Sequence, residues 1–156
     1  MSEEKIFSKY EILKKISNLR DEKIIGFTNG CFDLLHEGHF HLIRKSKLRC
    51  DFLIIGLNSD ESVKILKGES RPIENQQQRA KNLSKIKEVD AIVIFSTETP
   101  EDIIKDLNPN ILIKGGDYNK DDIVGSKFVI ENGGTVEVID LLPGFSTTKI
   151  INEKMK

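Results

Sequence analysis

Cysteine is scarce: 156 residues contain only Cys31 and Cys50, with no CxxC pair. That excludes a disulfide-built scaffold and a structural zinc site, and fits reduced thiols in a cytoplasmic protein. An excess of either charge is missing too. Lys+Arg 24 against Asp+Glu 25 leaves a net charge of -1. A general nucleic-acid binder carries a strong basic excess, so none is expected, while a small anion held by a few local cations stays open. No apolar run is long enough to cross a bilayer, and the first residues, MSEEKIFSKYE, are charged, so neither a membrane partner nor a signal peptide is expected. GxGxxG does not follow the first strand-like run and GxxxxGK[ST] is absent, which sets aside dinucleotide oxidoreductases and P-loop NTPases. Repeats, low-complexity tracts and linkers are lacking, so residues 1–156 are read as one domain.

The chain does contain a regular alternation of elements. Ile6, Tyr10, Leu13, Ile16 and Leu19 recur at helical steps and predict an amphipathic helix within residues 1–22, packed on the main body. Strands are predicted at Lys23–Thr28, Phe52–Leu57, Ala91–Phe95, Ile111–Lys114 and Thr135–Ile139. A helix is predicted over His39–Cys50, with Leu42, Ile43 and Leu48 inward. NSDESVKILKGESRPIENQQQR reads as a short helix, a loop and the start of another helix continuing through Ala80, Leu83 and Ile86. Thr99 is expected to cap a further helix with Pro100 in its first position, and Ser126–Asn132 to form one that stops at Gly133-Gly134. Ser146 or Thr147 is placed as the cap of a closing helix, Thr148–Met155. Apolar strands joined by helices predict an α/β fold: a doubly wound, Rossmann-like parallel sheet with helices on both faces. Such sheets bind ligands at the carboxyl ends of their strands, where the strand order reverses.

Two of the three histidines, His36 and His39, lie in TNGCFDLLHEGH, where a strand gives way to a helix. Three readings are open. The residues open a helix and nothing more; they bind a metal; or they handle an anion. HEGH is not HExxH, and no third ligand accompanies it. A helix N-terminus already presents unpaired N–H groups and the positive end of its dipole, and two imidazoles add donors, which favours the anion. Gly38 leaves room for a phosphate to approach the backbone.

TNGCFDLLHEGH resembles the signature of the HxGH nucleotidyltransferase superfamily. GLNSDESVKILKGESRPI, the Gln78-Arg79 pair, VDAIVIFSTETPEDII, LIKGGDY, GSKFV, NGGTVEVI and GFSTTKII are similar to its ADP-heptose-forming adenylyltransferases, so the resemblance covers about residues 23–152. It implies transfer of AMP from ATP to D-glycero-β-D-manno-heptose 1-phosphate, with Mg²⁺ arriving on the ATP, by a homodimer. The glycerol-3-phosphate cytidylyltransferase branch, which uses CTP, is the alternative. It carries RTEGISTT where this chain has LLPGFSTT, without the arginine.

The resemblance implies that His36 and His39 hold the α- and β-phosphate oxygens in the transition state, with Lys67 as a third catalytic group. For the nucleotide it implies Thr28, Asn29, Gly30, Phe32, Gly38, Lys114, Gly115, Asp117, Ser146, Thr147 and Thr148. For the acceptor it implies Asp33, Asn58, Asp60, Arg71 and Arg79. No residue is assigned to a metal. The plainer readings are a turn or cap for Asp33, a solvated charge run for Lys67 and Arg71, a helix-surface ion pair for Arg79, a tight turn for Gly115-Gly116 and a helix cap for Ser146 to Thr148.

Overall fold

The computed structural model describes residues 5–116 and 118–140. Asp117 and the expected closing helix, with its cap at Ser146 or Thr147, lie outside the described residues. In chain order the elements are β1 (Ile6–Phe7), α1 (Lys9–Ser17), β2 (Ile25–Gly30), α2 (Glu37–Lys47), β3 (Phe52–Asn58), α3 (Asp60–Lys67), α4 (Gln76–Ser84), β4 (Ala91–Phe95), α5 (Glu101–Leu107), β5 (Ile111–Gly115), α6 (Ser126–Glu131) and β6 (Thr135–Ile139). The strands form one sheet in the order β1-β4-β3-β2-β5-β6, and every pairing is parallel.

The expected doubly wound sheet is what forms. From β2 the chain steps outward through β3 to β4, then returns to the other side of β2 with β5 and β6. The order therefore reverses between β2 and β5, and the carboxyl ends of those strands, Gly30 and Gly115, frame the expected ligand crevice. One face of the sheet is covered by Ile12 and Ile16 of α1, Ile103, Ile104 and Leu107 of α5, and Val129 of α6. The other is covered by Leu42 and Ile43 of α2 and Ala80 and Leu83 of α4. Gly56 in the middle of β3 has a packing reason, since a Cβ there would overlap the Phe27 ring on β2. No helix among the described residues is long and apolar enough to cross a membrane.

Three local expectations are corrected. The N-terminal segment is not one helix. Ile6 and Phe7 pair with Ile92 and Val93 as an edge strand, and Ser8 then starts α1 with a capping box. Glu11 N–H donates to Ser8 Oγ at 3.1 Å, and Ser8 N–H donates to Glu11 Oε1 at 2.9 Å. The buried stripe of α1 is Ile12 and Ile16, leaving Tyr10 75% exposed. Leu48 is likewise turned out, 73% exposed, because it caps α2 after Lys47 and lies off the buried face formed by Leu42, Ile43 and Ser46; the helix also begins two residues earlier than expected. Pro100, not Thr99, occupies the cap of α5, although Thr99 Oγ1 still accepts from Glu101 N–H at 3.4 Å.

Candidate active site

β2 delivers the chain to the ligand edge at Asn29 and Gly30, both half-buried. The loop that follows contains two bulky residues in left-handed backbone, Phe32 (φ 48) and Leu34 (φ 56). Each costs about 1–2 kcal/mol relative to ordinary backbone. The strain ends at His36, the extended N-cap of α2, with φ -141 and ψ 176.

The two histidines cap this helix together. Gly38 N–H donates to His36 Nδ1 at 3.1 Å, and His36 N–H donates to His39 Nδ1 at 3.2 Å. Their rings stack with centroids 3.8 Å apart and 24° between planes. The Phe32 ring lies 5.3 Å from His39, tilted by 54°. Because each Nδ1 accepts a backbone proton, each neutral ring carries its own proton on Nε2 and is a donor through that atom. The helix-opening reading of these residues is what the capping bonds show, and it leaves both Nε2–H groups as donors.

Burial pushes His39 down to about 3, with the charges of His36 and Lys67 adding to the effect and Asp33 opposing it. Burial also lowers His36. Both imidazoles are neutral at pH 7. An unfolded histidine titrates near 6.5. As pH falls below that value, the unfolded chain takes up a proton that folded His39 refuses until about pH 3, so the folded state loses stability across this window. The slope from this one group approaches about 1.4 kcal/mol per pH unit. In a phosphate-free buffer, the urea midpoint of the native protein should drop more steeply between about pH 6.5 and 5 than that of His39→Asn. Parallel curves would mean that His39 protonates freely in the fold.

Several cations gather around Cys31, on the loop that leads to the histidines. Lys67, the last residue of α3, is exposed, and its charge reaches both His39 and Cys31. The Arg71 side chain is 11% exposed and its Nε lies 3.6 Å from Asp33 Oδ2. Lys114, near the end of β5, is held low by burial and sits 5.6 Å from the Tyr118 ring centroid. Cys31 lies among them, its thiol pushed up by burial against the pull of Lys67, Arg79 and Arg71. Among the described residues no three His, Cys, Asp or Glu side chains are gathered as a metal cage.

Other expected ligands are placed differently. Asp33 is 1% exposed. It accepts Ile73 N–H at 2.7 Å and Glu74 N–H at 2.9 Å, so it anchors the loop before α4 instead of facing an acceptor. Arg79 is fully buried, neither a surface pair nor an open phosphate ligand. It donates to Glu74 O (2.9 Å), Cys31 O (2.7 Å), Asn58 O (2.8 Å) and Asp60 Oδ1 (2.8 Å). Asn58, 3% exposed, and Asp60 belong to this brace. Thr28 is 0% exposed within β2, and Phe32 is buried behind His39. The Gly38 N–H is spent on His36. Gly115 closes β5 opposite Ile139. Asp117, Ser146, Thr147 and Thr148 lie outside the described residues. Glu74 and Asn82 were not foreseen; neither stands in a motif with a chemical signature.

The sequence matches the cytidylyltransferase-like family over residues 27–153, a stretch that spans the paired histidines and both carboxyl-edge loops. The chain belongs to the cytidylyltransferase-like family. It is 46% identical over 154 residues to the bifunctional protein HldE of Rhodopseudomonas palustris strain BisB5, covering 97% of this chain and 31% of that protein. It is 54% identical over 127 residues to the protein of the same name from Hyphomonas neptunium, covering 81% and 26% respectively. The chain thus spans about a third or less of these relatives. Among solved structures, a lipopolysaccharide core biosynthesis protein from Thermoplasma volcanium superposes with a TM-score of 0.63 at 25% identity, covering 77% of this chain and 97% of that one. Pantoate-beta-alanine ligase from Francisella tularensis shares the fold of this cytidylyltransferase-like chain, with a TM-score of 0.59 at 16% identity, covering 96% of this chain and 76% of the ligase.

Proposed function

We propose that this chain transfers AMP from ATP to D-glycero-β-D-manno-heptose 1-phosphate, giving ADP-heptose and pyrophosphate. The observation that carries the reading is the stacked, neutral His36–His39 pair at the start of α2, with the charge of Lys67 reaching His39 and those of Lys67 and Arg71 reaching Cys31 on the loop that leads to the pair. Family membership and the identity to HldE proteins support the reaction class, and the motifs LKGESRP, LIKGGDY and STT support the heptose acceptor.

The sugar phosphate oxygen attacks the α-phosphorus in line, its new P–O bond forms, and the α–β bridging bond breaks to release pyrophosphate. The nucleophile is already an anion, so no strong base is needed. The residues' task is to position two polyanions and stabilise the charge that develops on the departing phosphates. His36 and His39 supply Nε2–H donors for this. Lys67, Arg71 and Lys114 reduce the repulsion between donor and acceptor phosphates. The carboxylates Asp33 and Asp60 are engaged by backbone N–H groups and Arg79. Mg²⁺ carried by the triphosphate would neutralise part of its charge. The reading includes a homodimer, which the resemblance implies, and a cytoplasmic setting, which the scarce cysteines fit.

Pyrophosphate release, measured with ATP, CTP, GTP and UTP against heptose 1-phosphate and glycerol 3-phosphate, tests the proposal. Turnover is expected with ATP and heptose 1-phosphate. Turnover confined to CTP and glycerol 3-phosphate would keep the mechanism and overturn the substrates.

A further inference from the structure

The loop between β2 and α2 aims His36, and its two left-handed residues are held in different ways. Phe32 is 3% exposed and locked into the core on the α2 face. Leu34 belongs to neither core cluster, so packing does not secure its φ of 56. Its N–H donates instead to Glu74 Oε1 at 3.2 Å. Glu74 is itself well placed to hold that bond. Its other carboxylate oxygen accepts from Asn82 Nδ2 at 3.2 Å, its N–H donates to Asp33 Oδ1 at 2.9 Å, and its carbonyl accepts from Arg79 Nε at 2.9 Å.

We infer that Glu74 is a positioning residue: by binding the Leu34 N–H it holds the strained peptide two residues before His36 and so sets the direction of the histidine pair. The inference rests on the proposed transfer reaction. Glu74 fixes the Asp33–Leu34 peptide plane, and Leu35 alone separates Leu34 from the N-cap. Without the carboxylate, Leu34 relaxes toward negative φ, and the chain enters α2 from another angle. Glycine at position 34 would remove the steric reason to relax.

The test uses Glu74→Ala, Glu74→Gln, Leu34→Gly and the double variant Glu74→Ala/Leu34→Gly in the full chain. Readouts are pyrophosphate release at saturating ATP and heptose 1-phosphate, ATP affinity, and the His36 imidazole resonances. Loss of a charge-assisted hydrogen bond predicts that Glu74→Ala lowers kcat about tenfold, with ATP affinity changed less than about twofold. Glu74→Gln keeps an acceptor oxygen and should stay within about threefold of the native protein. The double variant should recover most of the kcat lost by Glu74→Ala, and the displaced His36 resonances should move back. A merely structural Glu74 predicts the reverse, because glycine would loosen the loop further. Unchanged kcat and unmoved His36 resonances in Glu74→Ala would overturn the inference, as would a defect that Leu34→Gly deepens. If the native protein turns over no substrate pair, the transfer reading fails; the His36 resonances of the same four variants still decide whether Glu74 sets the ring.

Discussion

His39→Ala should lower pyrophosphate release by about a hundred- to a thousandfold, while ATP still binds. The fold-change follows from removing one preorganised donor at a site of developing charge, which costs about 3–4 kcal/mol of barrier. Alanine also removes the Nδ1 that accepts the His36 N–H, so two further variants separate the effects. An amide oxygen in His39→Asn can take over that acceptor role but supplies no donor at the Nε2 position. His39→Gln places a neutral N–H donor near Nε2. If the ring works as a neutral donor, Gln should recover part of the rate and Asn should not. An imidazolium acting as general acid would be rescued by neither, and its rate would climb as pH falls. Near-native turnover in both His36→Ala and His39→Ala would defeat the mechanism.

The parts of the fold legible in sequence were those with one dominant periodicity. Ala91–Phe95 is a largely buried apolar run and Thr135–Ile139 an edge strand that buries Val136 and Ile139, and both strands fall where the pattern puts them. At the N-terminus two periods overlapped. Ile6 and Ile16 fit one helical stripe, yet Ser8 and Glu11 form a capping box that starts the helix after Ile6. The histidine pair was legible because its residue types are rare and its spacing fits a helix start. The brace was not. Asp33, Asp60 and Arg79 are residue types that suit a sugar-phosphate acceptor, the carboxylates for hydroxyls and the guanidinium for phosphate, and only their burial and partners reveal that they hold loops together. Glu74 carried no signal at all, since its partner is a backbone N–H whose strain depends on the folded loop.

Arg79→Ala should destabilise the fold by about 3–5 kcal/mol, the cost of stranding the partners of a buried charge. The guanidinium joins three separate pieces of chain at once: Cys31 after β2, the β3–α3 junction at Asn58 and Asp60, and Glu74 before α4. Its removal leaves three carbonyls and one carboxylate oxygen without this donor, and each orphaned group that water does not reach, the Asn58 carbonyl above all, adds a desolvation cost. Lysine is no substitute, because a single ammonium cannot reach four acceptors laid out for a planar fork. Urea unfolding of Arg79→Ala and Arg79→Lys should show lowered midpoints in both, with Lys nearer to Ala than to the native protein. The loss belongs to the ground state of the fold, so it should persist with no nucleotide present. A variant of native stability whose only defect is a raised KM for ATP or the acceptor would return Arg79 to the role its sequence context suggests, a phosphate ligand. The four short hydrogen bonds and the absence of exposed surface argue for the brace.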